Sequence, residues 1–171
     1  MGYALAMKDQ VDAIVDRWRR ELPEVAGVEL ELSKRASRLN ALLTEATVNQ
    51  LVDFKLTKAE FEVLTVLRSV GPPYRLRPTD LSSRLLLSSG GTSNVLRRLT
   101  EAGLIAREAD TSDARSSWVE LTELGGETAA AAVLASTEAQ RQLLDRVPPE
   151  TVKAALEVLR EILLALGDRA R

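Results

Sequence analysis

Apolar positions recur at helical spacing along most of this chain and give way to alternation in one short region. Met7, Val11, Ile14, Val15, Trp18 and Leu22 fall on one helical face, and Pro23 ends that helix because the residue before a proline avoids the α region. Leu32, Ala36, Leu39, Leu43 and Ala46 trace a second helix. Thr57-Lys58-Ala59-Glu60 has the form of a capping box ahead of Phe61, Leu64 and Leu67, and Gly71-Pro72-Pro73 closes this third helix. Pro78 suits a first helical position, and Leu81 and Leu85 at i, i+4 predict a short helix over 79–85. Leu86-Leu87 is then a turn, Ser88 or Ser89 caps the next helix, Thr92, Val95, Leu96 and Leu99 form its buried stripe, and Gly103 stops it.

Leu104-Ile105-Ala106-Arg107-Glu108 and Trp118-Val119-Glu120-Leu121-Thr122 alternate as half-buried strands do. The turn formers and charges from Asp110 through Ser116 predict the tip between them. Thr122 is a plausible cap for a long helix marked by Ala129, Ala132, Val133, Ser136, Leu143 and Leu144, which lasts until Pro148-Pro149. Val152, Leu156, Leu159, Leu163 and Leu166 mark a last helix. The order predicts a mainly α fold with a small β wing: a winged helix-turn-helix lobe over 56–125, inserted between N-terminal helices (1–55) and C-terminal helices (126–171). There is no internal repeat, low-complexity tract or flexible linker.

The face opposite the stripe of the helix after the turn carries Ser88, Ser89, Gly90, Ser93, Asn94, Arg97 and Arg98. Small and hydrogen-bonding side chains near a helix start let it approach a groove, and arginines further on hold phosphates, so this is a recognition helix for double-stranded DNA by composition. Ser88-Ser89-Gly90-Gly91 also reads as an anion nest, but a helix start in close approach to DNA needs fewer assumptions. Net charge is −2, yet residues 68–115 hold eight Arg, no Lys and five acidic residues, a local +3 against −5 elsewhere. Alone, a local +3 is ordinary surface fluctuation; joined to the helix and wing it marks the nucleic-acid face.

Cys and His are both absent. That removes disulfides, thiol redox sensing, a cysteine nucleophile and the usual zinc or haem ligands. No acidic cluster has calcium-loop spacing, and there is neither a Gly-rich phosphate loop with its Lys nor a nucleophile elbow, so an enzyme, a metal and a cofactor are not expected. With no apolar run of bilayer length and no basic-then-apolar leader, the expectation is a cytoplasmic protein without membrane association. The apolar stripes of the first and last helices lie at opposite ends of the sequence and predict an intertwined homodimer; packing on one another within a monomer is the other reading.

The runs Leu87-Ser88-Ser89-Gly90-Gly91-Thr92-Ser93-Asn94, Leu99-Thr100-Glu101-Ala102-Gly103-Leu104-Ile105, Asp113-Ala114-Arg115-Ser116 and Val119-Glu120-Leu121-Thr122-Glu123-Leu124-Gly125 resemble the multiple antibiotic resistance regulator (MarR) family. The resemblance is close over about 56–125. It implies a homodimeric regulator, expected to be a repressor, whose recognition helices read an inverted repeat with half-sites about one helical turn apart. It also implies that Asp113 holds Arg115, which enters a minor groove. The alternative function is a winged-helix protein interaction module without specific DNA binding, although such modules usually lose the wing arginine or acidify the recognition face, whereas Arg97, Arg98 and Arg115 are all present here.

A narrower resemblance concerns an effector. Asp16-Arg17-Trp18-Arg19-Arg20-Glu21-Leu22-Pro23, Glu60-Phe61-Glu62-Val63-Leu64, Gly71-Pro72-Pro73-Tyr74 and the Ser-Ser-Gly-Gly helix start are similar to the urate-responsive branch, which carries an added N-terminal helix. That branch holds its ligand with a Trp, an Asp and two Arg. Trp18 and Arg107 match, Glu62 replaces the Asp, and Val95 stands where one Arg is expected. The implied effector is a small anion, aromatic or polycarboxylate, that needs one arginine, with urate itself disfavoured. Trp18 also reads as a core anchor, and Glu62 and Arg107 as a structural ion pair or solvated surface positions.

Overall fold

Helical stripes and caps become seven helices and three strands in the computed structural model, which describes residues 8–85, 89–110 and 113–169. The chain divides into two compact units at Glu45/Ala46. The C-terminal helices that the sequence set apart group with the winged lobe.

In the first unit, α1 (Gln10–Glu21) is followed by a 3₁₀ turn over Pro23–Val25 and by the start of α2 (Val28–Leu51), which continues into the second unit. Asp9 caps α1: its Oδ1 accepts from the Val11 and Asp12 N–H groups at 2.8 and 2.9 Å, and the Asp12 carboxylate accepts from the Asp9 N–H at 2.8 Å. This closes a capping box made of two aspartates. Arg35 of α2 then binds three carboxylates with three nitrogens, Asp9 at 2.9 Å, Asp12 at 2.7 Å and Glu31 at 2.8 Å. One planar guanidinium therefore fastens the cap of α1 to α2. Exposed pairs contribute little singly, and here the network, extended by Arg19 to Asp16 and Glu31, carries the effect.

The second unit holds α3 (Lys58–Ser69), β1 (Arg75–Leu76), α4 (Pro78–Leu85), α5 (Ser89–Glu101), β2 (Ile105–Asp110), β3 (Asp113–Leu121), α6 (Glu123–Leu144) and α7 (Pro149–Ala165). Val63, Leu64 and Leu67 of α3 meet Leu81, Leu96, Leu99, Leu104, Ile105, Val119, Leu121 and Ala129 in one core, so α4, α5, the sheet and α6 all seat on α3. The expected box at Thr57 and Glu60 is present. Gly103 stops α5 with φ +70, a conformation glycine adopts without penalty, and Leu104 N–H returns to Leu99 C=O at 3.0 Å.

The sheet is antiparallel in the order β1-β3-β2. Two features depart from the sequence expectation. Strand pairing runs from Ile105↔Leu121 to Asp110↔Asp113, with a register shift at Ala109/Asp110, so most of the expected tip is strand. Turn-forming residues at the end of a two-stranded ladder still pair with each other, and composition alone placed the boundary too early. Strand β1 was not expected, because two residues cannot display a period; it pairs Arg75 with Glu120 and Leu76 with Val119.

Thr122 joins the lobe's ends. Its hydroxyl donates to Gly103 C=O at 2.7 Å and accepts from Gly125 N–H at 3.0 Å, while its own N–H donates to Leu104 C=O at 3.2 Å. Gly125 passes so close to the Leu104 carbonyl that any Cβ there would overlap it. Helix α7 buries none of its residues, and Leu156, Leu159 and Leu163 of its apolar stripe are exposed.

Candidate nucleic-acid interface

Helix α5 has two chemically distinct faces, as its 3.6-residue periodicity predicts. Thr92, Leu96 and Leu99 are at most 2% exposed, Val95 packs half-buried against the same core, and Ser82 of α4 reaches the Thr92 hydroxyl at 3.1 Å. Ser93, Asn94 and Arg97 are exposed on the other side. Arg97 is already oriented: Nη2 donates to Asn94 Oδ1 at 2.9 Å and Nη1 pairs with Glu101 at 2.7 Å. A fork held between two partners on its own helix loses less rotamer freedom on meeting a base edge or phosphate.

Arg98, grouped with Arg97 by the sequence, turns toward α3. Its Nε lies 2.9 Å from Oε1 of Glu60, whose side chain is only 6% exposed. The other Glu60 oxygen accepts from the Thr57 N–H and hydroxyl, both at 2.7 Å. Nothing in the spacing of Glu60 and Arg98 signals this pairing.

Ser88 lies outside the described residues. Ser89 and Gly90 belong to α5 and Asp113 and Arg115 to β3 by backbone, and their side chains lie outside the described ones, as does the expected Asp113–Arg115 contact. Sequence reasoning missed Arg75 and Arg77, whose guanidinium carbons stand 4.9 and 5.0 Å from the Trp118 ring. The available signal was Arg-x-Arg directly before a helix-starting proline.

The three effector candidates fall on three different elements. Trp18 is on α1 of the first unit and 40% exposed. Glu62 pairs with Lys58 one turn back on α3 at 3.6 Å. Arg107, exposed on β2, lines a cleft of about 560 Å³ with Pro78, Thr79, Ser82, Ser83, Thr92, Ser93 and Leu96; Glu62 is not in that lining. Arg107 also borders a smaller hollow of about 370 Å³ with Ser93, Arg97, Thr100 and Glu101.

Helices α3, α4 and α5 ahead of the β2–β3 hairpin, with β1 pairing onto that hairpin, define a winged helix-turn-helix protein. Residues 54–116 match the model of the MarR family. The transcriptional regulator PecS of Dickeya dadantii (strain 3937) is 30% identical over 116 residues, covering 68% of this chain and 70% of PecS. The chain therefore belongs to the MarR family of transcriptional regulators. Among solved structures, Sco3205, a MarR family transcriptional regulator from Streptomyces coelicolor in complex with DNA, is 28% identical with a TM-score of 0.67, covering 82% of this chain and 92% of that one. Wild-type MarR from E. coli in its apo form shares the fold, with a TM-score of 0.70 at 21% identity over 77% of this chain and 96% of that one. The described residues include no helix long and apolar enough to cross a membrane.

Proposed function

We propose that this regulator binds double-stranded DNA as a homodimer, reads an inverted repeat through α5, and acts as a repressor released by a small anionic effector. The observation that carries DNA binding is the outer face of α5. Ser93, Asn94 and an Arg97 already oriented by Asn94 and Glu101 project from a helix whose inner face is locked in the core. The DNA-bound relative Sco3205 supports the same reading. Asn94 and Arg97 address base edges, and Arg115, held by Asp113, addresses the minor groove from the wing. The exposed leucines of α7 and the exposed Trp18 and Leu22 of α1 support a dimer, since one chain leaves these stripes uncovered.

Sequencing genomic fragments retained by the purified protein, then measuring affinity for a recovered fragment over a range of salt, tests the reading. Expected are a palindromic motif and a linear fall of log K with log salt. Retained fragments with no common motif, or affinity indifferent to salt, would favour the protein interaction module.

For the effector, Arg107 borders a cleft and a smaller hollow beside α5, so an anion on its fork would crowd Ser93 and Arg97. Calorimetric titration of aromatic and polycarboxylate acids into wild type and Arg107→Ala tests this. Binding that weakens in the variant and lowers operator affinity supports the site, and equal binding in both removes Arg107 from it.

A further inference from the structure

We propose that Arg98 is a positioning residue of the recognition helix: through the buried carboxylate of Glu60 it fixes the rotation of α5 on α3, and so sets where Asn94 and Arg97 point. The inference deepens the DNA-binding reading and rests on it.

The argument starts from Glu60. Its side chain is 6% exposed, and a carboxylate out of water requires charge compensation and hydrogen bonds. The capping box occupies one oxygen, Oε2, with the two Thr57 donors. That job is done equally well by glutamine and needs no charge. The negative charge and the second oxygen are engaged by α5, through Arg98 Nε at 2.9 Å. The pair thus ties the start of α3 to the C-terminal half of the recognition helix.

Near its start α5 has a directional hold of its own, the Ser82–Thr92 hydrogen bond at 3.1 Å, and the Glu60–Arg98 pair adds one at its C-terminal half. Leu96 and Leu99 hold it by apolar contact, which is non-directional and tolerates a roll about the helix axis. A hydrogen-bonded ion pair does not. Arg97 and Arg98 are adjacent, so about 100° of helix separates their directions, and fixing one guanidinium inward fixes the other outward. Nε is the engaged atom, which lysine does not possess.

The experiment uses Glu60→Gln, Arg98→Lys and the double variant, with affinities for operator and random DNA measured across salt and with hydrogen exchange of the α5 amides followed without DNA. Glu60→Gln keeps the cap and removes a negative charge near the DNA, so electrostatics alone would tighten binding to all DNA. Positioning gives the opposite sign on the operator: roughly tenfold weaker binding, with random DNA unchanged or tighter, so the specificity ratio falls. Arg98→Lys keeps the charge and should show the same loss with an unchanged salt slope. The double variant should lose no more than the worse single one, because both remove one link. In both single variants α5 amides should exchange faster while those of α6 do not.

Wild-type affinity in Arg98→Lys, together with tighter binding of both DNAs by Glu60→Gln, would make Arg98 a phosphate contact and overturn the proposal. Unchanged α5 exchange would overturn it as well. If wild type binds no DNA, the functional reading fails, and the exchange measurement still decides whether the pair holds α5. Should Glu60→Gln unfold, Arg98→Lys, altered at a half-exposed side chain, carries the test.

Discussion

At the scale of residues, Thr122 and Gly125 show how little chemistry closes the lobe. One hydroxyl and two backbone N–H groups join the stop of α5, the start of β2 and the start of α6. Gly125→Ala should destabilise the protein by about 3 kcal/mol, because a methyl group cannot share space with the Leu104 carbonyl and the helix start must shift. Thr122→Ala should cost about 1 kcal/mol as a lost helix cap. Thermal or urea unfolding measures both; a Gly125→Ala protein as stable as wild type would mean that the α6 start moves freely. On the outer face of α5, Asn94→Ala removes a candidate base contact and one of the two groups orienting Arg97. Discrimination between operator and random DNA should fall by about 1–3 kcal/mol, with less change on random DNA. Equal losses on both would assign Asn94 to backbone contact.

The helices were legible at the scale of elements because stripes and caps agreed: Thr57 with Glu60, Thr122, Gly103 and the prolines at 23 and 78 each mark a boundary that the structure keeps. The outward face of α5 was legible for the same reason, since a 3.6-residue period separates Asn94 and Arg97 from Leu96 and Leu99. Strand β1 carries no periodic signal in two residues, and the wing's length depends on pairing that composition does not encode. The partner of Arg98 depends on tertiary packing and has no local trace. The Asp9 cap is different: Asp9 and Asp12 ahead of the α1 stripe are a local signal that the sequence reading passed over, and the cap carries a pH dependence. Its carboxylate is held below the ordinary carboxylate range by the Asp12 N–H first and by Arg35. A folded pKa lower than the unfolded one contributes stability above the unfolded value, near 4, and that contribution is lost as pH falls through the lower folded value. The first unit should therefore fray in acid, with α1 amides gaining exchange below about pH 4, and Arg35→Ala should show that fraying already at neutral pH. Protection of α1 that is indifferent to pH and to Arg35 would mean the cap does not hold the helix.

For the whole molecule, the sequence's division of charge, eight Arg among residues 68–115 against a net −2 overall, puts the attraction for phosphate on one lobe and leaves the rest repelling it. Apolar surface is distributed the other way, with the exposed leucines of α7 far along the chain from the α5 arginines. Leu159→Glu should therefore shift sedimentation toward the monomer and weaken operator binding together, without changing helix content. A variant that remains dimeric would take α7 out of the interface. The two indole rings are divided in a similar way. Trp18 lies in the first unit and Trp118 in the second, the latter with the guanidinium carbons of Arg75 and Arg77 at 4.9 and 5.0 Å from its ring. Native emission consequently contains two separable optical signals. A Trp18→Phe protein would glow from Trp118 alone, and a phosphate that draws Arg75 away from the ring should shift that glow in colour as DNA arrives.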